Sequence, residues 1–224
     1  LLKTGKPVVL VLFTGRPLAL TWEQKNVPAI LNVWFGGSEA GDAIADVLFG
    51  DVNPSGKLTT SFPQNVGQVP IYYAHKNTGR PLGEGKWFEK FRSNYLDVSN
   101  DPLYPFGYGL SYTTFSYSDV KLSSASLKGN QTLTASVTVT NTGTRDGKET
   151  VQLYIRDLVG SITRPVKELK GFQKISLKAG ESRTVTFSIT PNDLKFYHGD
   201  LKYDLEPGEF SIMIGASTRD VKSA

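Results

Sequence analysis

Cysteine is absent from the 224 residues, which excludes disulfides, thiolate-held zinc and a thiol nucleophile. Histidine is nearly absent: His75 and His198 are the whole complement and lie far apart in the chain. A histidine base would need an activated serine beside it, and no nucleophile elbow of the Gly-x-Ser-x-Gly kind occurs. Clustered histidines and carboxylates of metal-site spacing are missing too, so no metal or cofactor is expected. No apolar run reaches the length of a membrane span. Charge of one sign is not concentrated. The net charge is +4, but the Lys and Arg are interspersed with acids, whereas a nucleic-acid partner calls for a basic face or stripe. The acids Glu39, Asp42, Asp46, Asp51, Glu84, Glu89 and Asp97 include no pair that the sequence places across a cleft, as two-carboxylate chemistry requires. No self-contained catalytic constellation is visible.

What is present is the composition of a folded chain, with 39% hydrophobic and 21% charged residues. The length suits one large or two ordinary domains. Leu1-Leu2 followed by Gly5 and Pro7 has no leader pattern and reads as the end of a helix, which favours a C-terminal piece of something longer. Val8–Phe13 is an unbroken apolar run of the kind buried on both faces in a parallel sheet. Leu18–Gln24 is expected as a short helix, and Ala29–Phe35 as a second strand-like run. Ser38 is a candidate cap for a helix over Glu39–Phe49, in which Ala40, Ala43, Ile44, Val47 and Leu48 recur at helical spacing and Gly50 closes the element. Gly36-Gly37 before that helix is either a tight turn or a phosphate cradle, and the Lys-Ser or Lys-Thr pair of a phosphate loop does not follow. Glu39 and Asp42 fit the helix dipole. Asp51–Lys57 is dense turn chemistry, and Leu58–Phe62 is expected as a strand stopped by Pro63.

Pro63–Asn100 has little periodicity and a heavy aromatic load. Tyr72 to Pro81 mixes stacking rings with hydrogen-bond donors, as a sugar site would; the alternative is a surface loop whose rings pack on its own domain. Asp101–Phe115 carries two prolines, two glycines and five aromatics, too many rings for a solvated linker, and reads as a packed junction between unlike halves. Beyond it the pattern changes to alternation. Strands are expected over Leu133–Thr140, Thr150–Arg156, Leu169–Leu177, Thr184–Ile189 and Glu209–Ile214, with turns between. That spacing suggests an antiparallel sandwich of immunoglobulin or fibronectin III type without the disulfide, serving as scaffold rather than catalyst.

Ordered matches along nearly the whole chain then carry a family resemblance. They include Gly15-Arg16-Pro17-Leu18, Trp34 to Gly41, Ala43 to Gly50, Asn53 to Leu58, Gly67 to Tyr73, Thr78-Gly79-Arg80-Pro81, the junction Pro102–Phe115, Val151–Tyr154 and Arg164–Phe172. The chain resembles the C-terminal portion of glycoside hydrolase family 3, of the bacterial periplasmic β-glucosidase type. The resemblance implies an α/β plus all-β fold: the C-terminal part of an α/β sandwich, mostly parallel sheet with helices, over 1–63; connecting loops and hinge over 64–113; and a fibronectin III-like domain over 114–224. It implies a retaining β-glucosidase whose barrel nucleophile and acid/base lie before Leu1, so no catalytic residue is assigned here and the chain alone is expected to be inactive. The implied partners are a β-glucoside or oligosaccharide substrate, the missing barrel, the rest of the α/β sandwich and a second copy in a homodimer, in a periplasmic or secreted setting. Arg80, with Lys76 and Asn77, is the candidate substrate-binding set on the aglycone side. The opposing reading of Arg80 is an ion pair at a domain boundary. A stand-alone carbohydrate- or protein-binding module, or a purely structural one, is the alternative to the enzyme.

Overall fold

The computed structural model describes residues 1–83 and 86–224. Its first part is the expected α/β layer. β1 (Val9–Leu12) and β2 (Ala29–Asn32) pair in parallel, Val9 opposite Ala29. Parallel strands need a crossover, which runs through α1 (Thr21–Asn26). This helix, expected from Leu18, begins only at Thr21: Leu20 is buried in the turn before it, and the Thr21 hydroxyl donates to the Gln64 carbonyl at 2.6 Å. The second apolar run stops being strand at Asn32 because Trp34 turns the chain through the left-handed region (φ 52°), which sets its ring edge-on to Phe62. α2 (Ala40–Phe49) ends at Gly50 as expected, but Ser38 does not cap it. The N-cap residue is Glu39, and no side chain accepts from the first turn.

Leu58–Phe62 is not a strand. Its backbone meets the junction at its two ends, where Leu58 N–H donates to Tyr108 O, Gly107 N–H to Leu58 O, Phe62 N–H to Tyr104 O and Leu103 N–H to Phe62 O. Thr59 and Thr60 bend away between those contacts, so a bridge forms where a ladder was expected. The junction is therefore paired on one side with the α/β part. On its other side it lies on the all-β part: Thr218 N–H and hydroxyl both donate to Phe106 O, and the Arg219 guanidinium donates to Pro102 O. Gly109 is required by close approach, since a Cβ there would sit 2.2 Å from Gly56 O.

The all-β part comprises β3 (Phe115–Tyr117), β4 (Lys121–Leu122), β5 (Leu133–Asn141), β6 (Gly147–Asp157), β7 (Glu168–Leu177), β8 (Ser182–Ile189), α3 (Pro191–Leu194), β9 (Phe196–Tyr197), β10 (Tyr203–Asp204), β11 (Phe210–Gly215) and β12 (Val221–Ser223). One antiparallel sheet places β3 and β4 in tandem along one edge of β5, with β8 on the other. The second runs β12-β11-β6-β7. Alternation works as expected in β5, whose Leu133, Ala135, Val137 and Val139 point inward against Val151, Leu153 and Ile155 of β6. β6 departs from it. From Val151 to Ile155 both of its faces are buried, and the outer pair, Gln152 and Tyr154, lies beneath the junction.

The junction rings Tyr104, Phe106, Tyr108 and Phe115 are half-buried rather than enclosed, and Tyr112 is exposed. Tyr104 stacks on Tyr108 at 5.3 Å and Phe106 on Tyr73 at 4.3 Å. Phe106→Ala and Tyr108→Ala are each expected to destabilise the chain by about 2 kcal/mol, roughly half of what loss of a fully buried ring brings. Denaturant unfolding checks this; unchanged midpoints in both variants would make the stretch a plain linker.

Candidate functional site

The stretch that carries Lys76, Asn77 and Arg80 is held at both ends. At its start Tyr73 stacks on Phe106, meets Tyr154 edge-on at 6.1 Å, and accepts a hydrogen bond from Leu169 N–H through its hydroxyl at 3.4 Å. Val166 N–H donates to His75 O at 2.9 Å, and Lys76 bridges to Pro165 in antiparallel fashion. At its far end Ser93 N–H donates to Arg80 O at 2.9 Å and the Thr78 hydroxyl to Ser93 Oγ at 2.6 Å. Ser93 is in turn clipped by Asn100, which donates to its carbonyl and accepts from Tyr95 N–H.

The three expected residues thus share one loop, and all three are exposed. Among the described residues the Arg80 guanidinium has no carboxylate or hydrogen-bond partner. Asn77 lies at the rim of a cavity of about 310 Å³ lined by Arg156–Arg164. Among the described residues Asp157 Oδ1, an acceptor, and Arg164 Nε, a donor, have no hydrogen-bond partner in that region, although Arg164 Nε lies 4.0 Å from Asp157 Oδ2. Around the loop, Tyr72, Trp87, Phe88 and Phe91 are exposed rings, and Lys86 and Arg92 flank Glu89 and hold its carboxyl below the usual range, chiefly through hydrogen bonds. Aromatic faces beside forked and ammonium donors are the chemistry of polyol recognition.

Two carboxylates have raised pKa values, both by burial: Glu149 and Asp157. Neither acts as half of an acid–base pair with the other. They lie eight residues apart on one strand, a separation of roughly 26 Å at ~3.3 Å per residue, against about 5–9.5 Å between the carboxyl groups of glycosidases. Glu149 is enclosed, with Lys57 Nζ at 3.2 Å and the Tyr117 hydroxyl donating to it at 3.0 Å. Lys57 also donates to Gly109 O, so this buried cluster fastens the turn before Leu58 and the junction to β6. Among the described residues no three His, Asp or Glu are grouped to hold a metal. Glu84 lies outside the described residues.

Sequence reading left Tyr73 open between a sugar site and a ring packed on its own domain, and missed Gln152 and Tyr154 as supports of the loop. The one signal for them was bulk on the outward positions of β6, where a solvated strand would carry charge.

Residues 1–112 match the glycosyl hydrolase family 3 C-terminal domain and residues 149–218 a fibronectin type III-like domain. A periplasmic β-glucosidase of Salmonella typhimurium is 58% identical over 98% of this chain, and a β-xylosidase of Formosa agariphila is 50% identical over 97%. The chain spans only 28% and 29% of those two relatives. The solved β-glucosidase of Listeria innocua in complex with glucose superposes over the whole chain at 46% identity with a TM-score of 0.93, this chain covering 31% of it. No helix among the described residues is long and apolar enough to cross a membrane.

Proposed function

The chain belongs to glycoside hydrolase family 3, and we propose on that premise that it works as the C-terminal portion of a retaining β-glucosidase releasing terminal β-D-glucosyl residues from glucosides or oligosaccharides. The observation that carries this reading is the likeness to β-glucosidases in sequence and in fold along the whole chain. In it, the nucleophile and the acid/base come from parts of the enzyme outside these residues. This agrees with the separation of Glu149 and Asp157 and with the enclosure of Glu149. Exposed Phe13, Trp22, Phe35 and Phe49 on the α/β layer favour its burial against further parts of the same enzyme. The fibronectin-like sandwich is a brace, and the loop it carries presents Arg80, with Lys76 and Asn77, to hydroxyls on the aglycone side of the substrate. The setting is periplasmic or secreted, and a second copy, in a homodimer, is a further partner.

Two aryl glycosides test the reading. The chain alone is expected to hydrolyse neither an aryl β-glucoside nor an aryl β-xyloside, and the complete enzyme to hydrolyse the glucoside. Turnover by the chain alone at a rate rivalling the complete enzyme would overturn the division of labour. Preference of the complete enzyme for the xyloside would overturn the sugar assignment, an outcome that the β-xylosidase relative makes worth measuring.

A further inference from the structure

The loop that carries Arg80 does not hold its own shape. Among the described residues its Lys76–Arg80 stretch has no regular secondary structure beyond the single Lys76–Pro165 bridge. Its conformation is imposed at one end by Ser93 and at the other by the all-β part, through the Val166–His75 hydrogen bond, the Lys76–Pro165 bridge and the side chain of Tyr73. Tyr73 is a three-way contact: its ring lies on Phe106 of the junction at 4.3 Å and 24°, its edge meets Tyr154 of β6, and its hydroxyl takes Leu169 N–H of β7.

The sandwich is modified where Tyr73 docks. Between β6 and β7 the register slips at Leu153/Tyr154, so that Leu153 faces Gly171, Tyr154 faces Leu169, and Lys170 is skipped. Such a bulge re-aims side chains and disturbs the local ladder. Tyr154 is fully buried on the outer face of its sheet, and its hydroxyl donates to Gln152 Oε1. Gln152 in turn donates to Ala216 O at 2.6 Å and to Gly107 O at 3.3 Å. The seat of Tyr73 is therefore tied through Gln152 to the same junction that carries Phe106. A buried, fully bonded polar outer face is more than a scaffold's solvated sheet needs.

We infer that Tyr73 is a positioning residue through which the fibronectin-like sandwich sets the enzyme's preference among aglycones, by fixing where Arg80 and Lys76 stand. The inference rests on the proposed role of Arg80 at the substrate. A group 1 Å out of place forfeits much of its contribution to an oriented complex, so the effect falls on substrates whose aglycone offers hydroxyls to the loop.

The test uses the complete enzyme and two substrates that share the glucosyl group, a β-linked diglucoside and methyl β-glucoside. The readout is the ratio of their kcat/KM values, with KM and kcat resolved for each. Tyr73→Ala is expected to lower the ratio about tenfold, the order of one lost pocket contact, chiefly through KM for the diglucoside. Tyr73→Phe, which keeps the ring stack, restores most of it. Arg80→Ala is expected to lower the same ratio. A fall with Arg80→Ala and none with Tyr73→Ala would overturn the inference and leave the proposed role of Arg80 standing. No fall with either variant would overturn both. A Tyr73→Ala enzyme that loses activity on the two substrates in step, at an unchanged ratio, would reduce Tyr73 to a fold-stabilising residue and overturn the inference.

Discussion

Lys57→Met is expected to destabilise the chain by about 3–5 kcal/mol at pH 7, the range for removing one partner of a buried ion pair. The substitution keeps the stem and deletes the charge. Glu149 is then left ionised in an enclosed site with only the Tyr117 hydroxyl to satisfy it. Burial already raises the Glu149 pKa, and Lys57 is the main influence opposing that rise. Removing Lys57 raises it further. A carboxyl whose folded pKa is raised binds its proton more tightly folded than unfolded, so its contribution to stability is complete below the unfolded value of about 4.3 and is lost as pH rises through the folded value. The deficit of the variant relative to the parent is therefore expected to shrink as pH falls toward 4. The comparison must be relative, because Glu89, Glu181, Asp200 and Glu206 have lowered pKa values and make both proteins less stable in acid. Urea unfolding at pH 7 and pH 4 measures this. An equal deficit at both would mean that Lys57 acts through packing or its bond to Gly109 rather than through charge. Replacing Glu149 by Gln together with Lys57→Met is expected to recover most of the loss at pH 7, because no ion then remains unpaired.

Tyr154→Ala is expected to cost about 3–5 kcal/mol, the range for truncating a fully buried aromatic. Its ring fills the space between β6 and Tyr73, so the cavity opens under the junction and not in the sandwich core. Its hydroxyl loss frees Gln152 Oε1, a second unfavourable change in a site with no exposure. Tyr154→Phe isolates that second part and is expected to cost about 1 kcal/mol. Burial, with the Tyr73 hydroxyl nearby, raises the Tyr154 pKa, so the group stays neutral through the accessible pH range and neither variant is expected to show an added pH dependence near neutrality. A Tyr154→Ala protein as stable as the parent in denaturant would show that the junction does not rest on the sheet.

How much of this could be read from residues alone varies with the range of the forces involved. β5, β7, β8 and β11 stand where alternation put them, to within a residue or two, because period-two burial is a local signal. β3, β4 and β12 went unread because strands of two or three residues carry too few side chains to show a period. Leu58–Phe62 has strand composition, but its partner is the junction some forty residues on, and only that geometry decides that it bridges at its ends. Ser38 looks like a cap, yet which residue occupies the cap position depends on where the Gly36-Gly37 turn leaves the backbone. At the loop, Arg80, Lys76 and Asn77 were named from residue chemistry and family resemblance. That they are exposed, that the Arg80 guanidinium is unpaired among the described residues and that Asn77 borders the Arg156–Arg164 cavity came only with the fold.

By itself the sequence determined the two halves of the chain and the aromatic junction between them, because hydrophobic period, proline and glycine act over a few residues. It also excluded thiol chemistry, by composition. Tertiary structure alone decided that the junction is clamped from both sides, that Lys57 and Glu149 form a buried pair across 92 residues, and that Tyr73, Gln152 and Tyr154 support the loop. These depend on burial of the outer face of β6. No pattern within one strand can announce that, because what covers a sheet is supplied by distant parts of the chain.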